Sequence, residues 1–128
     1  MLGALSATAN AAAPVLSPIG NKLVNEGVNL NFVVTASDSD ATVPVLTTST
    51  LPSGATFVDN LNGTGTFNWT PTFTQSGVYD VTFRASDGIL VDTEIVQITV
   101  NNVNQPPVLA LIGNRSITEG INLTFNDT

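Results

Sequence analysis

Through most of this chain apolar residues recur at every second position, the pattern of strands with one face on a core and the other in water. From Val28 to Ala36 the even positions are Val28, Leu30, Phe32, Val34 and Ala36, with Asn29, Asn31, Val33 and Thr35 between them. The same phase returns at Phe67 and Trp69, opposite Thr66, Asn68 and Thr70. It returns again at Tyr79, Val81, Phe83 and Ala85, opposite Asp80, Thr82, Arg84 and Ser86. Two shorter runs, 43–49 and 55–58, are separated by Leu51-Pro52-Ser53-Gly54, which forces a turn. In the run 91–103 the phase drifts near Ile95 and Val96, which predicts a bulge. Pro14-Val15-Leu16 followed by Ile19-Gly20-Asn21 predicts a first strand split by a kink at the glycine.

Turn residues fall between these runs. Asn62-Gly63 predicts a tight hairpin, since both residues tolerate positive φ, and Asp87-Gly88 predicts another turn. Nothing in the chain repeats with helical period. Seven or so short strands at regular spacing predict an all-β sandwich, and Tyr79 at the start of its strand suits a tyrosine corner, its hydroxyl returning to backbone upstream.

Residues 14–35, PVLSPIGNKLVNEGVNLNFVVT, reappear in register at 107–128 as PVLALIGNRSITEGINLTFNDT, an offset of 93 residues. A period of this size marks tandem domains. The expected organisation is a linker or signal-peptide remnant over 1–13, a sandwich module over 14–104, and over 105–128 a linker and the opening strands of a further repeat. In the second copy Ile121, Leu123 and Phe125 form an apolar row that those strands alone cannot bury, so they are candidate partner contacts with the same chain or a neighbouring copy.

Composition narrows the functions. The chain is 42% hydrophobic with a mean hydropathy of +0.27, enough for one core. Only 10% of residues are charged, and three bases (Lys22, Arg84, Arg115) stand against ten acids for a net charge of −7, which excludes nucleic-acid binding. No apolar run approaches the roughly 18 to 20 residues of a membrane helix. There is no Cys, hence no disulfide framework or thiolate metal site, and with no His the usual triads and zinc centres are out of reach. The small, apolar start has Ala9-Asn10-Ala11 in the small-x-small form of a signal-peptidase site, but it lacks a basic n-region and its apolar run is short, so it reads as a signal-peptide remnant or a linker.

Several linked motifs carry a family likeness: NEG at 25–27, FVVTASDSD at 32–40, LPSGATF at 51–57, NGTGTFNWTPT at 62–72, QSGVYDVTFRASDG at 75–88 and VQITVNNVNQPPV at 96–108. In this order they resemble bacterial immunoglobulin-like, cadherin-like repeats of the putative-Ig and dystroglycan-type cadherin groups. The resemblance implies a seven-stranded immunoglobulin-like sandwich from an extracellular repeat protein, and a secreted or cell-surface location is the expectation from it. It is less informative about activity, since such repeats occur in adhesins, surface enzymes and carbohydrate-active proteins.

Strand order places candidate ligands for calcium at two poles. Asp38 and Asp40 follow one strand and Asp87 arrives at the same end, offering three hard oxygen donors. Glu26, Asn102 and Asn104 lie at the opposite pole. By the resemblance, stacking of successive modules completes a calcium cage, although Gln105 stands where the linker motif is usually acidic and residues 72–77 lack the acidic pair of true cadherins. The competing role for these loop residues is capping turns, with no cofactor. Trp69 is the one tryptophan and a possible sugar platform, but its phase with Phe67 assigns it to the core. Asn-x-Ser/Thr sequons occur at Asn62, Asn68, Asn114, Asn122 and Asn126. The expected function is a non-enzymatic structural and adhesive module that assembles end to end or by strand addition into a filament. The alternative is a carbohydrate-binding module of a secreted enzyme, with surface glycans as ligands.

Overall fold

A computed structural model describes residues 11–104. The second copy of the duplicated stretch, with Ile121, Leu123 and Phe125, and the linker residue Gln105 lie outside the described residues. Eight strands follow one another: β1 Val15–Leu16, β2 Lys22–Asn25, β3 Leu30–Ser37, β4 Val45–Thr48, β5 Thr56–Asp59, β6 Thr64–Trp69, β7 Gly77–Ser86 and β8 Val91–Asn101. They form two four-stranded sheets, β1-β3-β6-β5 and β2-β8-β7-β4. The first strand is split as the Ile-Gly-Asn kink predicts, β1 joining one sheet and β2 the other, with Gly20 at φ 78° between them. With β1 and β2 taken as one divided strand, this is an immunoglobulin-like β-sandwich.

Alternation decides which side chains meet between the sheets. Val34, Ala36, Phe67 and Trp69 point inward from one sheet and Val81, Phe83, Ala85, Val96, Ile98 and Val100 from the other, all buried. Phe83 is the hub of the aromatic packing, edge-on to Phe57, Phe32 and Phe67 at centroid distances of 5.5, 5.8 and 6.1 Å. Phe32 stacks on Phe67 at 4.8 Å, and Trp69 meets Tyr79 edge-on at 5.1 Å, geometries that ring quadrupoles favour. Trp69 is 1% exposed and forms part of this core, so no sugar can stack on it. At the open side, the chain's one lysine spans the gap: Lys22 lies 4.6 Å from the centre of the Phe32 ring and donates to Ile19 O at 3.1 Å.

Three sequence expectations are corrected here. No bulge interrupts the last strand, since the β7–β8 register runs unbroken from Gly77↔Val100 to Ser86↔Val91. The apparent drift arises because Asp92 and Glu94 occupy inward-phase positions. Their carboxylates accept from Leu16 N at 2.8 Å, Ile19 N at 3.0 Å and Gly20 N at 2.9 Å, groups left without ladder partners where the chain crosses between sheets. The β5–β6 connection is likewise a four-residue loop over 60–63, with positive φ at Leu61 (64°) and Gly63 (87°) rather than at Asn62 and Gly63. Asn62 Oδ1 accepts from Thr64 N and Oγ1 at 3.0 and 2.6 Å, while Gly63 O accepts from Ala36 N at 2.8 Å. A Cβ on Gly63 would lie 2.9 Å from Ala36 O, so the loop is fitted to its neighbour β3 and not to hairpin twist alone. Val28, finally, precedes β3 and is 52% exposed, outside the apolar row that its even phase assigned it to.

The chain enters beside the end of β3, where Val15 pairs with Ser37, and β8 ends beside Asn25, the residue that closes β2. These are opposite poles of the sandwich. β2 and β8 run parallel, Lys22–Asn25 alongside Ile98–Asn101.

Candidate functional sites at the two poles

At the pole where the chain enters, β3 ends at Ser37 and β7 at Ser86, and both release the backbone into Asp-rich turns. The two turns bring Asp38, Asp40 and Asp87 together, with a carboxylate oxygen from each within 4.8 Å of the others. Part of this arrangement is turn capping. Asp38 Oδ1 accepts from Asp40 N at 2.8 Å, Asp40 Oδ2 from Ala12 N at 2.8 Å, and Asp87 Oδ1 from Ile89 N and Leu90 N at 2.8 and 2.7 Å. The amides of Leu90 and Ile89 hold the Asp87 carboxyl below the ordinary carboxylate value. Asp38 Oδ2 is different: it is inaccessible to water and has no hydrogen-bond partner. A buried carboxylate oxygen without a partner, in a set of hard oxygen donors, fits a calcium ion. Three such ligands fall short of the six to eight oxygens that calcium takes.

The other pole is built around Glu26. It sits on the turn between β2 and β3 and is only 2% exposed. Its Oε2 accepts from Ser76 N and its Oε1 from Val103 N, each at 2.9 Å. Both carboxylate oxygens are therefore engaged by backbone, one from the β6–β7 loop and one from the chain leaving β8. The same turn is fixed further by Glu26 N to Asn101 O at 3.0 Å and Gly27 N to Pro71 O at 2.7 Å. Gly27, at φ 78°, lies under Phe73, and a Cβ there would come within 2.5 Å of the ring. Tyr79 makes the expected corner, its hydroxyl donating to Gln75 O at 2.8 Å. Gln75 in turn accepts from Thr72 N at 2.8 Å and donates to Ser53 O at 3.0 Å. Asn102 and Asn104 are exposed on the departing chain.

Glu26 thus stands apart from the Asp38, Asp40 and Asp87 cluster, as strand order predicts, while its role as a buried staple is not what a surface-ligand reading anticipates. The available signal was its recurrence as Glu119-Gly120 in the duplicated stretch. Asp92, Glu94 and Asp59 were missed as well. Asp59 joins the sheets at the far edge by accepting from Leu46 N at 3.1 Å and also caps its own loop through Leu61 N at 2.9 Å. Beside the start of β3 and the end of β6 the side chains form an uncharged amide and hydroxyl network, with Asn29 donating to Asn68 at 2.7 Å and to Thr70 at 2.9 Å.

With this geometry in place, the chain can be compared with known proteins. A family profile described as Putative Ig domain matches residues 13–101. The chain belongs to that family. Among curated proteins no relative matches it. Solved structures similar to this Ig-family chain include an endo-fucoidan hydrolase from glycoside hydrolase family 107, at 23% identity and a TM-score of 0.62 over 80% of this chain and 15% of that one. Another is the SrpA adhesin from Streptococcus sanguinis, at 13% identity and a TM-score of 0.59 over 73% of this chain and 57% of that one. A titin domain matches at 13% identity and a TM-score of 0.54, over 73% of this chain and all of its own length. At these identities the likeness is one of fold, and this chain spans only a small part of the hydrolase. Among the described residues no helix is long and apolar enough to cross a membrane.

Proposed function

We propose that this chain is a non-enzymatic link in an extracellular, adhesive repeat protein, joined end to end with further copies of itself. The observation that carries this reading is that the described sandwich begins and ends at opposite poles, together with a duplicated stretch that restarts the same sequence pattern 93 residues on. A unit of this kind adds length to an array. An acidic surface, a net charge of −7 and polar positions filled by Asn and Thr suit a solvated surface protein. No cavity opens among the described residues, which favours contacts through poles and sheet faces. The natural polypeptide extended to two or three complete repeats tests the reading by small-angle scattering. Each repeat should lengthen the particle by roughly 35–40 Å, the span of an eleven-residue strand. A particle that becomes rounder as repeats are added refutes it.

Calcium belongs to the same proposal. Asp38, Asp40 and Asp87 would supply three ligands, and the exposed Asn102 and Asn104 of the preceding module would approach them in an array. Calorimetric titration of two joined modules should give heat and raise the unfolding temperature, both lost in Asp87→Asn. No heat and no stabilisation at millimolar calcium reject the site. The apolar row Ile121, Leu123 and Phe125 is the proposed contact for strand addition: removal of residues 107–128 should leave the first module folded and abolish assembly, and an assembled truncation refutes this.

A second reading, a carbohydrate-binding module, draws on the fold's presence within a fucoidan hydrolase. Here the ligand surface would be the Asn and Thr face of β3 and β6, since Trp69 is buried. An empty glycan array disposes of it.

A further inference from the structure

The Glu26 pole, we propose, is the seat of the following repeat, with the linker Gln105-Pro106-Pro107 laid across the open face of Phe73. This rests on the array reading above and names the surface that such an array needs. The departing chain is held, not frayed: Val103 N and Ser76 N share one buried carboxylate, each at 2.9 Å. Through that shared group the start of the linker is fixed beside the β6–β7 loop that carries Phe73.

Phe73 is the second observation. One side of its ring is pressed on Gly27, where even a methyl group would collide at 2.5 Å, yet the residue is 48% exposed. A large apolar ring is thus fixed in place with its other side in water, and the neighbouring Val28 is 52% exposed. Both exposed apolar side chains thus lie beside the turn that carries Glu26, Phe73 against Gly27 and Val28 next to it in sequence.

The occupant follows from reach and chemistry. Pro106 lies three residues beyond Val103, within about 10 Å of extended chain. Consecutive prolines hold an extended conformation with little entropy left to lose, and such segments dock on aromatic side chains. Charge agrees with this choice. The Glu26 carboxylate is buried and fully hydrogen-bonded, the flanking Asn102 and Asn104 are neutral, and Gln105-Pro106-Pro107-Val108 carries no charge. Glu119-Gly120 repeats Glu26-Gly27 in sequence.

The test uses the whole 128-residue chain, isotope-labelled, in nuclear magnetic resonance. The Phe73 ring protons should show Overhauser contacts to Pro106, Pro107 and Val108, whose signals should be shifted upfield by the ring. Both effects should vanish in Phe73→Ser, while the core signals of Trp69 and Phe83 stay in place. Absence of the contacts in the unmodified chain, a measurement that depends on no variant, overturns the proposal; so do linker shifts that Phe73→Ser leaves unchanged. If particle length still grows regularly with repeat number while these contacts are missing, the array reading survives and only the seat is lost.

Discussion

Replacing Glu26 with Ala should be among the most damaging single changes outside the hydrophobic core. The substitution removes the acceptor for two partly buried amides, Ser76 N and Val103 N. Charge-assisted hydrogen bonds contribute about 1.5–3 kcal/mol each, so the pair accounts for roughly 3–6 kcal/mol. Relief from burying the carboxylate, which is 2% exposed, offsets part of that, and about 3 kcal/mol of net loss remains. In a domain of this size each kcal/mol moves the midpoint by about 4–8 °C, so the melting temperature should fall by roughly 12–24 °C. Glu26→Gln keeps one acceptor but turns an amide donor toward the other N–H, and should lie between Ala and the unmodified chain. Thermal unfolding followed by Trp69 fluorescence reports it directly, because the indole is buried in the folded state. A fall of less than about 4 °C for Glu26→Ala would mean that the staple contributes under 1 kcal/mol, and the reasoning would be wrong.

Phe83→Ala should cost about 3–5 kcal/mol, since it empties the position where three rings meet; a urea midpoint close to that of the unmodified chain contradicts this role. Tyr79→Phe removes only the bond from the hydroxyl to Gln75 O, so a loss of about 1 kcal/mol with the near-ultraviolet spectrum of Trp69 retained is expected from denaturant titration. Asp87 has a folded-state pKa below its unfolded one. Its contribution is therefore complete above the ordinary carboxylate range, near pH 4, and is lost as the pH falls through the lower folded value. Asp87→Asn should flatten the acid limb of the stability profile, and an identical limb in the variant speaks against the turn as its source.

The parts of the fold that follow from alternation were legible. The inward faces of β6 and β7 could be read from Phe67, Trp69, Val81, Phe83 and Ala85 because every second residue is apolar, and Tyr79 marked its own corner. Asp38, Asp40 and Asp87 could be grouped because they follow strands that end at one pole. What escaped were polar residues in inward phase. Asp92 and Glu94 resemble surface positions until the crossing of β1 to β2 supplies amides that need acceptors. Glu26 is the same case at the other pole. Such residues answer backbone groups that are distant in sequence, 74 to 77 residues away for Glu94 to Gly20 and Glu26 to Val103, and no local pattern reports them. The Asn62-Gly63 pair misled for a related reason, since its loop obeys the close approach of Gly63 to β3 as well as strand twist.

The parallel pairing of β2 with β8 has a consequence under load. A pull on the two ends of the module draws β2 toward the pole where the chain enters and β8 toward the pole where it leaves, along the strand axes and in opposite directions. The cross-links over Lys22–Asn25 and Ile98–Asn101 are then strained together, in shear, whereas a hairpin pulled from its open end would part them one at a time. Resistance to extension is a rate, governed by the barrier to the first rupture and not by equilibrium stability. Four residue pairs that must yield at once raise that barrier, and Glu26, tying Val103 to the same turn, lies in the path of the force.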